Sequence, residues 1–118
     1  MTQVIIYHNP RCSKSRETLQ LLEQRGLQPT IIEYLKTPLS VAEIKSLVKQ
    51  LDFQSARELI RSKEALYQEL GLANEHDEEK LYEAMATHPK LIERPIVVVG
   101  QQARIGRPPE SVLEILPA

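Results

Sequence analysis

Three short runs of mostly β-branched residues, unequally spaced along the chain, constrain its fold more than any other feature. The first two, residues 4–7 and 30–35, flank a stretch whose apolar residues have helical spacing and which ends at Gly26. A strand, a helix and a strand in so short a segment form a βαβ unit with parallel strands and a right-handed crossover. The third run, residues 96–99, comes only after a long helical stretch. Together the runs predict an α/β fold with an insert between its second and third strands.

The stretch between the second and third strands carries signals for helix starts and helix ends. Residues 40–43 (Ser-Val-Ala-Glu) and 55–58 (Ser-Ala-Arg-Glu) both match the capping box, in which the hydroxyl and the carboxylate satisfy backbone N–H groups. Apolar residues at helical spacing follow the first sequence, and Leu59 and Ile60 follow the second. Gly71 and His88-Pro89 are suited to end helices. We therefore predict a helical insert over about residues 39–88.

The C-terminal part completes a sheet in this interpretation. A turn at residues 100–102 leads from the third strand into residues 103–106, which are predicted to form its antiparallel partner. Pro108-Pro109-Glu110 then opens a last helix. The sum is a four-stranded mixed sheet with helices packed on it, which is the layout of a thioredoxin-like α/β fold. We predict one domain over residues 1–118.

Composition and charge exclude several functional classes. With one cysteine, the chain can form neither an internal disulfide framework nor a zinc module built on four thiolates. Its 15 Lys and Arg residues are balanced by 16 Asp and Glu residues, which argues against a dedicated nucleic-acid binder. No stretch approaches the ~18 apolar residues of a membrane span, and the first residues show no signal-peptide pattern. We expect a cytoplasmic protein without membrane attachment.

Cys12 is the candidate for chemistry because it lies between the first strand and the first helix. At that position the unpaired N–H groups and the positive end of the helix dipole are close to the sulfur. His8, Arg11, Lys14 and Arg16 add basic neighbours in sequence, and cysteines in such surroundings ionise more readily than a free thiol. We predict a nucleophilic thiolate at neutral pH. The alternative is a small, inert core residue.

Several basic residues are placed where an anion would relieve their charge. Lys14 and Arg16 lie in the first turn of the first helix, where cations are disfavoured, and neither a carboxylate nor a capping box compensates them. Side chains that reach into solvent would need no anion. Arg94 precedes Pro95 at the start of the third strand, and Arg107 precedes the last helix. The planar guanidinium suits a tetrahedral oxyanion because it donates two parallel hydrogen bonds.

Two other kinds of cysteine site do not fit the sequence. Ser15 stands where a Cys-x-x-Cys motif has its second cysteine, so a disulfide formed in turnover must join Cys12 to an outside thiol. A metal site built from His8, Cys12, His76 and His88 matches no known ligand set in spacing or number. We therefore predict no metal.

Five motifs at consistent spacing extend over nearly the whole chain. They are residues 7–16 (Tyr-His-Asn-Pro-Arg-Cys-Ser-Lys-Ser-Arg), 33–35 (Glu-Tyr-Leu), 56–61 (Ala-Arg-Glu-Leu-Ile-Arg), 93–98 (Glu-Arg-Pro-Ile-Val-Val) and 104–110 (Arg-Ile-Gly-Arg-Pro-Pro-Glu). Together they resemble the ArsC family, the glutathione- and glutaredoxin-coupled arsenate reductases, and in particular its short YfgD-like branch.

The resemblance implies a thioredoxin-like fold and an oxidoreductase that detoxifies arsenic by converting arsenate to arsenite. On that reading Cys12 attacks arsenate and forms a covalent arseno-cysteine adduct, with His8 and Ser15 favouring the thiolate. Glutathione then adds as co-substrate and arsenic is reduced from the pentavalent to the trivalent state. Glutaredoxin resolves the disulfide between Cys12 and glutathione, and arsenite leaves.

The resemblance also implies which residues and partners serve the reaction. Arsenate or a related oxyanion would be held by Arg61, Arg94 and Arg107, and the peptide bond before Pro95 would be cis. The partners would be glutathione and glutaredoxin, without a tightly bound cofactor, a nucleic acid or a membrane. We expect a monomer.

Two alternatives from other functional classes remain open. A regulator similar to the Spx branch of the same fold would bind RNA polymerase and would sense redox state, typically through a Cys-x-x-Cys motif. Ser15 stands here in place of the second cysteine. A monothiol thiol-disulfide oxidoreductase would use Cys12 without the arginines. Loss of function on changing Arg94 or Arg107 would distinguish an oxyanion enzyme from such an oxidoreductase, because a protein disulfide needs no oxyanion clamp.

Overall fold

The computed structural model describes residues 3–117, and the chain divides into two compact units. The first unit contains the described residues up to Thr37 together with those from Arg94 onward. The second unit is Pro38–Glu93. The predicted single domain, with its insert over about residues 39–88, stays a prediction.

The first unit is built on a four-stranded mixed sheet with strand order β2-β1-β3-β4. Strand β1 pairs in parallel with β2 and antiparallel with β3, and β3 pairs antiparallel with β4. The predicted α/β fold, with its parallel βαβ unit and closing hairpin, is therefore confirmed. The strands are β1 (Val4–Tyr7), β2 (Thr30–Ile32), β3 (Ile96–Val99) and β4 (Gln102–Ile105).

Two strands differ from the prediction in their bounds. Strand β2 ends at Ile32 instead of residue 35, because the carbonyl of Glu33 closes a turn by accepting the N–H of Lys36 at 2.9 Å. Tyr34 lies in this turn, and its side chain is buried. The sequence therefore shows the apolar pattern of a strand at a place where the backbone turns. Strand β4 runs from Gln102 to Ile105, so it begins and ends one residue earlier than the predicted 103–106.

Helix α1 (Ser13–Gln24) connects β1 to β2 and packs on the sheet. Gly26 follows it with a φ of 78°, the left-handed conformation expected of a residue that ends a helix. The helix buries Leu22 in an apolar core shared with strands β1 and β3 and with the C-terminal segment. The buried members of this core are Val4, Ile6, Leu22, Val97, Val99, Val112 and Ile115.

The predicted last helix is a 3₁₀-helix, Pro109–Ile115. A 3₁₀-helix has three residues per turn, so every third side chain lies on the same side. Pro109, Val112 and Ile115 have this spacing, and all three are buried. Their period of three explains why the segment does not adopt the α-helical period.

The second unit is helical, and both capping boxes form. Its α-helices are α2 (Val41–Gln50), α3 (Ala65–Glu69) and α4 (Glu78–Thr87). Ser40 and Glu43 cap α2 reciprocally, at 3.0 and 3.1 Å. The box of Ser55 and Glu58 starts only a short 3₁₀ turn, because Ile60 is already extended and pairs with Ile92 in an antiparallel bridge. No helix within residues 3–117 is both long and apolar enough to cross a membrane.

Candidate active site

Cys12 is the N-cap residue of α1, at the end of the loop that follows β1. Its N–H donates to the carbonyl of Asn9 at 3.0 Å, and its own carbonyl accepts the N–H of Arg16 at 3.0 Å. The side chain makes no capping hydrogen bond, and the residue is 8% exposed. The sulfur therefore lies at the start of the helix without serving as its cap.

Asn9 organises this loop and was missed by sequence reasoning. Its side-chain Oδ1 accepts the N–H of Arg11 at 3.0 Å, and its N–H donates to Oγ of Ser15 at 3.0 Å. With the bond from Cys12, three hydrogen bonds of one residue hold the loop against α1. The sequence signal was the asparagine two residues before the bonded N–H, which is typical of an Asx turn.

His8 and Ser15, both predicted site residues, form a buried pair. Nδ1 of His8 and Oγ of Ser15 are 2.6 Å apart. Because Oγ already accepts the N–H of Asn9, the serine hydroxyl can donate its proton to Nδ1 of a neutral imidazole. Burial lowers the pKa of His8 from its ordinary value of 6.5, the charge of Arg16 lowers it further and that of Glu33 opposes the shift. The imidazole is therefore neutral at neutral pH.

The described hydrogen bonds of Ser15 Oγ go to His8 and Asn9, while the described partner of the Cys12 sulfur is an arginine. His8 and Ser15 were predicted to favour the thiolate of Cys12. Within residues 3–117, neither side chain has a hydrogen bond to the sulfur. Their role toward Cys12 stays a prediction.

Arg107 contacts the sulfur directly. Its Nη2 donates to Sγ of Cys12 at 3.4 Å, and its Nε donates to the main-chain carbonyl of Arg94 at 2.8 Å. The second bond fixes the plane of the guanidinium, so a positive charge is held at the nucleophile. The structure thus brings together two residues that are 95 positions apart in sequence.

Arg94 is the other predicted substrate-binding arginine of the first unit, and two of its guanidinium nitrogens are buried. Nε and Nη1 are buried and have no hydrogen-bond partner among the described residues. Buried donors of a charged group are costly when they are left unpaired. The Arg94–Pro95 peptide bond is cis, as the resemblance implied, and so is Arg107–Pro108, which was not predicted.

Gly106 lies in a narrow space directly before Arg107. Its N–H donates to the carbonyl of Pro95 at 2.9 Å. A Cβ atom at this position would lie 2.9 Å from Cγ of Pro95 and closer still to Oγ1 of Thr18, nearer than real Cβ atoms approach. Thr18, fully buried on α1, and Gly106 are therefore part of the support of Arg107. Neither residue was predicted, because the contact joins positions 88 residues apart.

Arg61 belongs to the second unit, where carboxylates surround its charge. Its Nη1 is 3.1 Å from Oε2 of Glu64, and its Nε is 3.6 Å from Oε1 of Glu93. Its N–H donates to the carbonyl of Leu91 at 2.7 Å. The role of Arg61 as a substrate ligand stays a prediction.

The expectation that the cations of the first helical turn lack partners was wrong. Nζ of Lys14 is 3.5 Å from a carboxylate oxygen of Glu17, one helical turn away, and Nη1 of Arg16 donates to the carbonyl of Pro10 at 2.9 Å. These two residues therefore supply no argument for an anion. The argument for a bound anion therefore rests on Arg94 and Arg107.

In the described part of the chain, no group of three or more His, Cys, Asp and Glu side chains is arranged to hold a metal ion.

The chain is similar to known proteins in both sequence and structure. A family model described as the ArsC family matches residues 7–115. The chain is 59% identical to the uncharacterized protein YfgD of Escherichia coli, with 97% of each chain covered. It is 54% identical to an arsenate reductase of Haemophilus influenzae, covering 96% of this chain and 98% of that one. A solved structure named arsenate reductase, from Vibrio cholerae, is similar with a TM-score of 0.95 and 58% identity, covering 98% of both chains.

Proposed function

Because the chain belongs to the ArsC family, we propose that it is an arsenate reductase with Cys12 as its nucleophile. One observation carries the proposal: a guanidinium bonded to the cysteine sulfur is also bonded to Arg94, whose buried Nε and Nη1 are unpaired among the described residues. An inert core cysteine would need no such neighbour. A tetrahedral oxyanion at the sulfur would need both arginines.

In the first step, the sulfur of Cys12 bonds to the pentavalent arsenic of arsenate. One hydroxyl of arsenate takes the proton of the thiol and leaves as water, so that the adduct keeps the negative charge of the substrate. Arg107 holds a positive charge at the sulfur, and Nε and Nη1 of Arg94 supply hydrogen bonds for the arsenate oxygens.

In the second step, glutathione supplies the other sulfur. A disulfide forms between glutathione and Cys12, the sulfur–arsenic bond breaks, and its electron pair remains on arsenic. Arsenic is thereby reduced to the trivalent state, the two sulfurs are oxidised, and the thiol proton of glutathione passes to an oxygen of the departing arsenite. Glutaredoxin then exchanges the disulfide and restores the Cys12 thiol. An outside thiol is required because Cys12 is the only cysteine of the chain.

His8 and Ser15 act as positioning residues in this proposal. Their buried hydrogen bond, together with the bond from Asn9 to Ser15, ties the end of β1 to the first turn of α1. Cys12 lies between these two anchors. We include Arg61 as a third arsenate ligand on the strength of the resemblance alone, and we propose a cytoplasmic monomer without a tightly bound cofactor.

The test is arsenate-dependent oxidation of NADPH in the presence of glutathione, glutaredoxin and glutathione reductase. We expect activity in the wild type and none in Cys12→Ser. Arg94→Lys should lose most of its arsenate activity, because an ammonium cannot donate as a planar fork. The matched control is Lys63→Arg, a basic substitution at an exposed position of the second unit, which should be unaffected.

The same variants distinguish an oxyanion enzyme from a monothiol oxidoreductase. A mixed disulfide of glutathione and hydroxyethanethiol reports thiol exchange without an oxyanion. If Arg94→Lys lowers the rate with arsenate and leaves that with the mixed disulfide intact, the arginines serve the anion. A wild type that reduces only the mixed disulfide would contradict the proposal.

A further inference from the structure

A small cavity borders the loop that carries Cys12. Its volume is about 250 Å³, and it is lined by residues 8–11 and by Glu33, Leu35 and Lys36, all in the first unit. One wall is the end of β1 with the following loop, and the other is the turn after β2. The first wall ends at Arg11, one residue before the nucleophile.

The charged groups of this cavity form a definite pattern. Arg11 and Lys36 are exposed cations, and Glu33 supplies one carboxylate at 3.3 Å from Nζ of Lys36. The Lys36 side chain is 79% exposed, so this surface ion pair is weak and the ammonium can turn to a ligand. The side chain of Arg11 has no ion-pair partner within residues 3–117. With His8 neutral, the lining carries two positive charges and one negative charge.

The cavity also has an apolar surface. Leu35 is 42% exposed, and Pro10 is exposed on the facing loop. Small-molecule sites typically combine apolar walls with a few charged groups that orient the ligand. A volume of about 250 Å³ is close to the lower end of the range for small-molecule sites.

We propose that this cavity binds glutathione, with its two carboxylates toward Arg11 and Lys36 and its ammonium group toward Glu33. This inference rests on the proposed function, in which the single cysteine must react with an outside thiol. Two carboxylates and one ammonium match the two cations and one carboxylate of the lining. The thiol would then be delivered beside the loop that ends in Cys12.

The two substrates would use separate sets of cations. The arsenate donors of the first unit, Arg94 and Arg107, flank the hairpin of β3 and β4, whereas the cavity is built from the loops after β1 and β2. Glutathione therefore does not displace arsenate from its arginines. Holding both reactants on one unit replaces a collision in solution by a reaction within one complex.

Binding is tested with S-methylglutathione, which keeps the charged groups of glutathione but has no reactive thiol. Titrated into the ¹⁵N-labelled wild-type protein, it should shift the amide signals of residues 8, 9, 11 and 33–36. Shifts confined to other residues, or none at millimolar concentration, would overturn the proposal. This measurement does not depend on arsenate.

Kinetics give the second test. Arg11→Glu and Lys36→Glu should each raise the KM for glutathione about 5-fold or more, because each turns an attraction into a repulsion, while the KM for arsenate stays unchanged. The matched control is Lys49→Glu, the same charge reversal at an exposed position on α2, which should change neither value.

The outcomes separate this inference from the proposed function. If the protein binds S-methylglutathione in the cavity but does not reduce arsenate, the cavity assignment stands and the proposed function is wrong. If the wild type reduces arsenate and both charge-reversed variants have an unchanged KM for glutathione, the proposed function stands and the cavity assignment is wrong.

Discussion

Two arginines, one in each unit, show opposite uses of the same side chain. In the second unit, Arg57 donates from Nη1 to the hydroxyl of Tyr67 at 2.7 Å and to the carbonyl of Leu72 at 3.0 Å, and from Nη2 to a further carbonyl. In the first unit, Nε and Nη1 of Arg94 are buried without a partner among the described residues. The first arginine stabilises the fold, whereas the second is arranged for something outside the chain.

The difference teaches that the unpaired donors, and not the charge, mark a binding arginine. Both residues are partly buried, and both lie within short motifs that resemble the family. They differ in whether the fold supplies carbonyl and hydroxyl oxygens as acceptors for the guanidinium. This contrast makes predictions that pair stability with activity.

The largest expected effect is that of Arg94→Met. Loss of the guanidinium should lower kcat/KM for arsenate by about 10²- to 10³-fold, as removal of a transition-state hydrogen-bond donor does. The free energy of unfolding should be unchanged or higher, because the substitution removes buried, unpaired donors. Steady-state kinetics and urea denaturation of the same samples test both statements. Strong destabilisation would show that Arg94 is structural and would end the contrast.

Arg57→Met should give the reverse result. Removing its hydrogen bonds leaves a buried phenol and carbonyls without their donor, so the free energy of unfolding should fall by about 2–4 kcal/mol. Below its unfolding transition, the variant should retain the wild-type KM for arsenate. A changed KM with unchanged stability would instead place Arg57 in the site.

Gly106→Ala tests how Arg107 is supported. The added methyl group meets Thr18 and Pro95, so we expect a loss of about 1–3 kcal/mol in stability and a lower arsenate activity. The double variant Thr18→Ala, Gly106→Ala removes the nearest obstacle and should recover part of both. A loss in the double variant equal to the sum of the single losses would contradict the proposed contact.

The smallest effect concerns His8 and pH. Its pKa is lowered in the folded state, chiefly by burial, so the unfolded chain binds the proton more readily as the pH falls below 6.5. The stability present above that pH is therefore lost progressively on acidification. His8→Asn should have a flatter profile between pH 7.5 and pH 5 in urea denaturation. An identical profile would show that His8 does not contribute.

Sequence patterns predicted those parts of the fold that depend on neighbouring residues. The βαβ unit, the third strand, Gly26 and both capping boxes follow from spacing and local hydrogen bonds, and all are present. The predicted extent of β2 was wrong, because a buried tyrosine in a turn imitates the apolar pattern of a strand. The last helix is present, but its 3₁₀ form was not predicted.

In the site, sequence reasoning identified residue types but not their partners. Cys12 and Arg107 were both candidates, yet only folding shows that they touch. The partners of Lys14 and Arg16 were missed, although one is only three residues away, because first-turn positions were judged by the helix dipole alone. Gly106 escaped notice because its restriction comes from atoms of distant residues.

Cys12 makes no capping hydrogen bond, so the residue that suits the proposed chemistry at this position is not the one that best stabilises the helix. Serine is among the best N-cap residues, and a capping side chain typically adds about 0.5–2 kcal/mol. Cys12→Ser is therefore expected to melt at a higher temperature than the wild type while having no nucleophile. A cysteine at this position therefore costs the helix the capping energy that a serine would supply, and the proposed nucleophile is retained at the expense of stability.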